Sequence, residues 1–183
     1  ALVKHSTARI HLAINDYKKQ LALLVDSELI VMNYVNQGSA YVYLREFDSG
    51  IHILRQALAL DSSQIGIWNN LGNAYQESGK KTEALYCFNK LIALDPKFVG
   101  GYINIGLFYQ GENQHQKAIE QFNKALALDN NLALGYSNRA YSYLKIKKMK
   151  QAMTDITKSI QLFESNSYAY RVRGEIYLAQ KED

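Results

Sequence analysis

From about residue 31 onward, apolar positions recur every three or four residues, the spacing of one helical face. In WNNLGNAY, residues 68–75, such a face carries Trp68, Leu71, Gly72 and Tyr75. The pattern returns at steps of 34 residues, as YVNQGSAY (34–41), YINIGLFY (102–109), YSNRAYSY (136–143) and YRVRGEIY (170–177). Each stretch opens on an aromatic, has Gly or Ala four residues on, and closes on Tyr seven residues on. A second set of columns follows in phase: Gly50, Ala84, Ala118 and Ala152, then Leu54, Phe88, Phe122 and Ile156 four residues later. Three units finish alike, in ALALDS, LIALDP and ALALDN. The spacing predicts a series of helix pairs, and one proline with eleven glycines leaves little punctuation for a β protein.

These columns resemble the tetratricopeptide repeat (TPR) family, whose signature is filled by Trp68, Leu71, Gly72, Tyr75, Ala84, Phe88 and Pro96. The resemblance covers about residues 31–180. It implies an all-α solenoid, a right-handed superhelix of antiparallel helix pairs whose first helices line a concave groove. Repeats are expected at 31–64, 65–98, 99–132 and 133–166. Residues 1–30 fit more loosely and are expected to form a degenerate helix pair, STARIHLAI followed by NDYKKQLALL. Residues 167–183 supply one helix, either a cap or the first half of a truncated repeat; its two aromatic columns favour truncation.

Elementary physics gives the columns their meaning. The small residues sit where paired helices approach too closely for a larger side chain, and the aromatics at both ends of each first helix fill gaps between units. An isolated pair cannot bury its apolar faces, so units stack. Asp61, Asp95 and Asp129 fall near unit ends, where they are expected to help start the next helix.

Composition narrows the function classes. Hydrophobic residues make up 48% of 183, which supports a folded core. No apolar run approaches the roughly 18 residues that span a bilayer, so membrane insertion is not expected. The net charge of +4 is mild. The one dense basic cluster, KIKKMK at 145–150, reads as a solvated turn and not as a nucleic-acid surface. Cys87 is the single cysteine, which excludes an intrachain disulfide and fits a reducing, cytoplasmic setting.

No catalytic, cofactor or metal constellation emerges. His5 and His11 are wrongly spaced for two ligands on one helical turn, His52 and His115 occur alone, and Cys87 has no histidine nearby in the sequence. Phosphate-loop patterns are absent.

One polar column stands out. Asn36, Asn70, Asn104 and Asn138 occupy the same place in four consecutive units, with Val172 in the fifth. At 100° per residue, this place lies about 150° from the apolar stripe. A carboxamide offers two donors and an acceptor, so it can satisfy both the N–H and the C=O of an extended peptide. Helices packed about 8–10 Å apart, beside a chain advancing about 3.3 Å per residue, would meet the peptide backbone near every third residue. The TPR region of O-GlcNAc transferase is similar in this respect, with an asparagine ladder that holds substrate backbone. The column has a second reading, common repeat ancestry without a ligand. A carboxylate clamp like that of heat-shock-protein co-chaperones would use Asn73 and Asn104, but its cationic places are filled by Asn69, Leu134 and Asn138.

Met32, Val35, Gln76, Ile103, Leu107, Tyr141, Leu144 and Arg171 are the other residues expected to face the groove. The expected function is a protein-interaction scaffold that binds a protein or peptide through Asn36, Asn70, Asn73, Asn104, Asn138, Leu107, Tyr141 and Arg171. The competing readings are a regulatory or substrate-selecting arm of a larger enzyme, such as a glycosyltransferase, and a self-assembling homo-oligomer.

Overall fold

The computed structural model describes residues 2–24 and 26–182, and among them all regular structure is helical. The helices are α1 (Leu2–Leu21), α2 (Ser27–Tyr43), α3 (Phe47–Leu60), α4 (Ile65–Glu77), α5 (Lys81–Leu94), α6 (Val99–Gly111), α7 (His115–Leu128), α8 (Ala133–Lys145), α9 (Met149–Leu162) and α10 (Ser167–Glu182). The chain divides into two compact units, Ala1–Asp95 and Pro96–Asp183.

In the first unit α2 pairs with α3 and α4 with α5, while α1 packs on α2 and α3 on α4. Its core joins Val31, Ile51, Leu54, Ala57, Ile67, Leu71, Ala74 and Cys87, with Trp68 and Tyr75 packed against it. In the second unit α6 pairs with α7 and α8 with α9; α7 packs on α8, and α10 lies against α9 and α8. One core there is built on Ile103, Ala118, Phe122 and Ala125, and another on Ala140, Leu144, Ala152, Ile156, Ala169, Val172 and Ile176. In both units, then, helix pairs stack as repeats of a solenoid.

The columns act within these pairs. A Cβ added at Gly72 would lie 2.3 Å from the Phe88 ring, and one at Gly106 would lie 2.4 Å from the Phe122 ring. Both rings are fully buried. Each contributes roughly 1.5–3 kcal/mol by leaving water, and only a glycine opposite admits it.

The turn inside each pair is also periodic. Arg45, Gly79, Asn113 and Lys147, spaced by one repeat, have φ of 63°, 78°, 57° and 58°. This left-handed residue lets the next N–H reach back over the helix end: Glu46 donates to Tyr41 O at 2.9 Å, Lys80 to Tyr75 O, Gln114 to Tyr109 O and Lys148 to Tyr143 O. The cluster KIKKMK contains one such turn, and Lys147, Lys148 and Lys150 are exposed.

Two expectations are corrected. Residues Leu2–Leu21 form one continuous helix, not a helix pair. Ile10, Ala13, Ile14, Tyr17 and Leu21 share one face, and no Gly or Pro interrupts it. α2 accordingly begins at Ser27, where the Asp26 carboxylate accepts from the Glu28 N–H at 2.8 Å. Second, Asp61, Asp95 and Asp129 close α3, α5 and α7 and do not cap the following helices. Asp61 instead organises the linker, accepting from Ser63 N at 2.9 Å, Ser63 Oγ at 2.6 Å and Gln64 Nε2 at 2.9 Å. Those bonds hold its carboxyl below the usual range.

Candidate peptide-binding surface

Each unit has first helices lying side by side, α2 with α4 in one and α6, α8 and α10 in the other. Their second helices cover one flank, so ligand-accessible groups must come from the opposite face.

The asparagine column is not uniformly accessible. Asn36 and Asn73 are exposed, Asn70 and Asn104 half-buried. Asn70 Nδ2 donates to Ser39 Oγ on the preceding first helix at 3.0 Å, and Ser39 Oγ donates to Val35 O at 2.7 Å. Asn138 is only 4% exposed. Its backbone carbonyl accepts from Gln110 Nε2 at 2.6 Å, and the same amide donates to Ser142 Oγ at 2.9 Å. The expectation of an open Asn138 side chain is therefore corrected: α8 is flanked by first helices on both sides, and its middle is closed in.

The remaining positions divide in the same way. Met32 and Gln76 are exposed, while Ile103 and Leu144, expected in the groove, belong to the cores. Leu107 is half-buried against the Ile103–Phe122 cluster. Tyr141 is half-buried, with Lys145 Nζ 4.8 Å from its ring centre and the His115 ring edge-on at 6.1 Å. Arg171 is exposed, stacks 4.9 Å over Tyr168 and donates to Glu175. Lys145 Nζ lies 4.0 Å from the other Glu175 oxygen. The structure thus brings Tyr141 and Arg171 into one aromatic and ionic cluster on α8 and α10. Burial pushes the Tyr168 phenol in that cluster up to about 12.

Several of these groups are invisible in the sequence. Lys145, Tyr168 and Glu175 belong to no recurring column, and Lys145 meets Glu175 only because neighbouring first helices abut. The pair of Arg139 and Asp155 does leave a trace. They stand two repeats after Leu71 and Cys87, so a cation and an anion replace two apolar residues at matching places. Cys87 itself is buried, which raises its thiol to about 12 and removes its nucleophilic form at neutral pH. Among the described residues no group of three or more His, Cys, Asp or Glu is placed to hold a metal ion, and no helix is long and apolar enough to cross a membrane.

Comparison with known proteins follows the same lines. A family model described as tetratricopeptide repeat matches residues 66–98, and a second of the same description matches 33–64, 99–132 and 133–166. No curated protein matches the chain. Among solved structures, MamA superposes with a TM-score of 0.74 at 22% identity, over 90% of this chain and 94% of that one. YrrB, described as a TPR protein with an unusual peptide-binding site, gives 0.70 at 18% identity over 94% and 87%. The first TPR of Spaghetti (RPAP3), bound to the HSP90 peptide SRMEEVD, gives 0.62 at 26% identity over 66% and 96%. These likenesses are likenesses of fold.

Proposed function

Because the chain belongs to the tetratricopeptide repeat family, we propose that it is an interaction scaffold whose first-helix faces hold an extended peptide segment of a protein partner. It acts by binding and carries out no chemistry of its own. The observation that carries this reading is the register of amides on first helices: Asn36, Asn70 and Asn73 in the first unit, and Asn104 in the second. Within each unit these side chains address backbone groups and so select an extended conformation, and in the second unit sequence choice falls to Leu107, Tyr141 and Arg171. The O-GlcNAc transferase TPR region, with its similar asparagine ladder, is the model for this mode. Asn138 is left out of the row because its side chain is buried; beside it, the Gln110 amide donates to the Asn138 backbone carbonyl and to Ser142 Oγ and so fastens α6 to α8. YrrB and Spaghetti, both named for peptide binding, add weight to the choice of ligand class.

The test is a selection from a random peptide library on the immobilised chain, followed by titration of the best binder. Each lost amide contact costs about 0.5–1.5 kcal/mol, so Asn104→Ala alone should weaken it roughly two- to twelvefold, and Asn36→Ala with Asn70→Ala roughly five- to 140-fold. N-methylation of the peptide backbone should do the same. Unchanged affinity in folded variants would reject the ladder.

A further inference from the structure

We infer that the Lys145–Arg171 cluster on α8 and α10 is a receptor for side-chain carboxylates, so that the partner segment seated on the second unit is acidic. This rests on the peptide-groove reading and specifies its ligand.

Charge distribution is the first observation. Residues 1–95 contain nine Lys and Arg against nine Asp and Glu, whereas residues 96–183 contain twelve against eight. The whole net positive charge therefore belongs to the second unit. The second observation is its arrangement. Lys145 and Arg171 share the single Glu175 carboxylate, Lys145 Nζ at 4.0 Å and Arg171 as a direct donor. One carboxylate offsets only one of two cations, so about one positive charge stays uncompensated at that point. The Lys145 and Arg171 side chains are 41% and 55% exposed, open to a ligand, while Glu175 is 31% exposed and held beneath them.

The surroundings decide why this pair differs from an ordinary surface lysine. Lys145 lies over the Tyr141 ring and Arg171 over the Tyr168 ring, at 4.8 and 4.9 Å. Both rings are half-buried, and the half-buried His115 ring meets Tyr141 edge-on at 6.1 Å. Aromatic walls hold the cations in place and keep water from one side of them. An incoming carboxylate then meets pre-positioned charge in a medium less screening than bulk water. The exposed lysines of the 147–150 turn have no such walls. Charge-assisted bonds to a guanidinium and an ammonium are the strongest that side chains of this surface can make.

The experiment uses the full chain and a fluorescein-labelled, C-terminally amidated Glu/Ser peptide, with its Gln/Ser counterpart, measured by fluorescence anisotropy. The amide excludes a terminal carboxylate as the source of binding. The Glu/Ser peptide should bind and the Gln/Ser peptide should bind at least about tenfold more weakly. Lys145→Ala and Arg171→Ala should each weaken the Glu/Ser peptide about tenfold. Lys124→Ala and Lys158→Ala, which remove the same charge from second helices, should change it less than about twofold. Glu175→Gln should tighten binding about threefold, because it removes the internal competitor, an effect no structural role of Glu175 produces. Equal effects of target and control variants, weaker binding in Glu175→Gln, or tighter binding of an oligothymidylate of matched charge would each overturn the inference. Equal binding of both peptides, abolished by the asparagine variants, would overturn it while leaving the groove reading intact.

Discussion

Arg139 and Asp155 form a two-pronged ion pair, with Nε 2.6 Å from Oδ2 and Nη2 2.8 Å from Oδ1. The side chains are 18% and 7% exposed, and a third bond runs from Arg139 Nη1 to Asn123 Oδ1 at 2.8 Å. Burial works against the guanidinium charge, yet the bonds to Asp155 outweigh it and raise the Arg139 pKa. A pair so placed is costly to break and cheap to replace. Asp155→Ala, which strands the cation, should lower unfolding free energy by roughly 3 kcal/mol in denaturant titration. Arg139→Leu combined with Asp155→Cys, which reproduces Leu71 and Cys87 of the earlier repeat, should come within about 1 kcal/mol of the wild type. Additive losses in the double variant would contradict this account.

The glycine column offers an internal comparison. At Gly72 and Gly106 an added methyl would press into Phe88 and Phe122, whereas at Gly174 nothing lies within 4 Å. Gly72→Ala and Gly106→Ala should therefore destabilise by about 1–3 kcal/mol through overpacking. Gly174→Ala, in the interior of α10, should stabilise by about 0.5–1 kcal/mol through helix propensity. Thermal unfolding of the three variants should separate them in sign.

What the sequence reveals follows from how each contact is made. The close approach of Gly38 to Leu54 returns one and two repeats later as Gly72–Phe88 and Gly106–Phe122, so these columns announce the helix pairs from the sequence alone. Residues 1–30 mislead because the division expected between STARIHLAI and NDYKKQLALL falls inside one helix, whose apolar face from Ile10 to Leu21 runs through it. Ile103 and Leu144 mislead for a related reason. A single helix wheel separates one packed face from one open face, but these first helices are packed on more than one side. The Lys145–Glu175 contact joins two repeats at unmatched positions, and no periodicity encodes it.

Gln37 marks a conflict between burial and chemistry. It is 2% exposed, and its Nε2 has no hydrogen-bond partner. One and two repeats later the same place holds Leu71 and Ile105, both buried. An unmet buried amide costs about 1–3 kcal/mol, so Gln37→Leu should stabilise the chain by at least about 1 kcal/mol. The same variant should slow amide exchange in α1, which is held to α2 partly by Asn33 Nδ2 donating to Tyr17 O at 3.0 Å. A lower denaturation midpoint would show instead that Gln37 is a needed polar contact.

His115 gives the fold a defined acid response. Its Nδ1 is buried without a partner, and its ring meets Tyr141. Burial first, and the neighbouring Lys145 second, hold its pKa below 6.5. The folded chain then binds fewer protons than the unfolded chain at mildly acid pH. The stabilising share from neutral His115 is complete above the unfolded pKa and is lost as pH falls from 6.5 through the folded pKa. Titration of the imidazole by NMR should place its midpoint below 6.5, and Lys145→Ala should move it upward without restoring it fully, since burial persists. His115→Phe should reduce the loss of melting temperature between about pH 7 and pH 5. A midpoint above 6.5 in the wild type would mean that a carboxylate, and not Lys145, governs the imidazole.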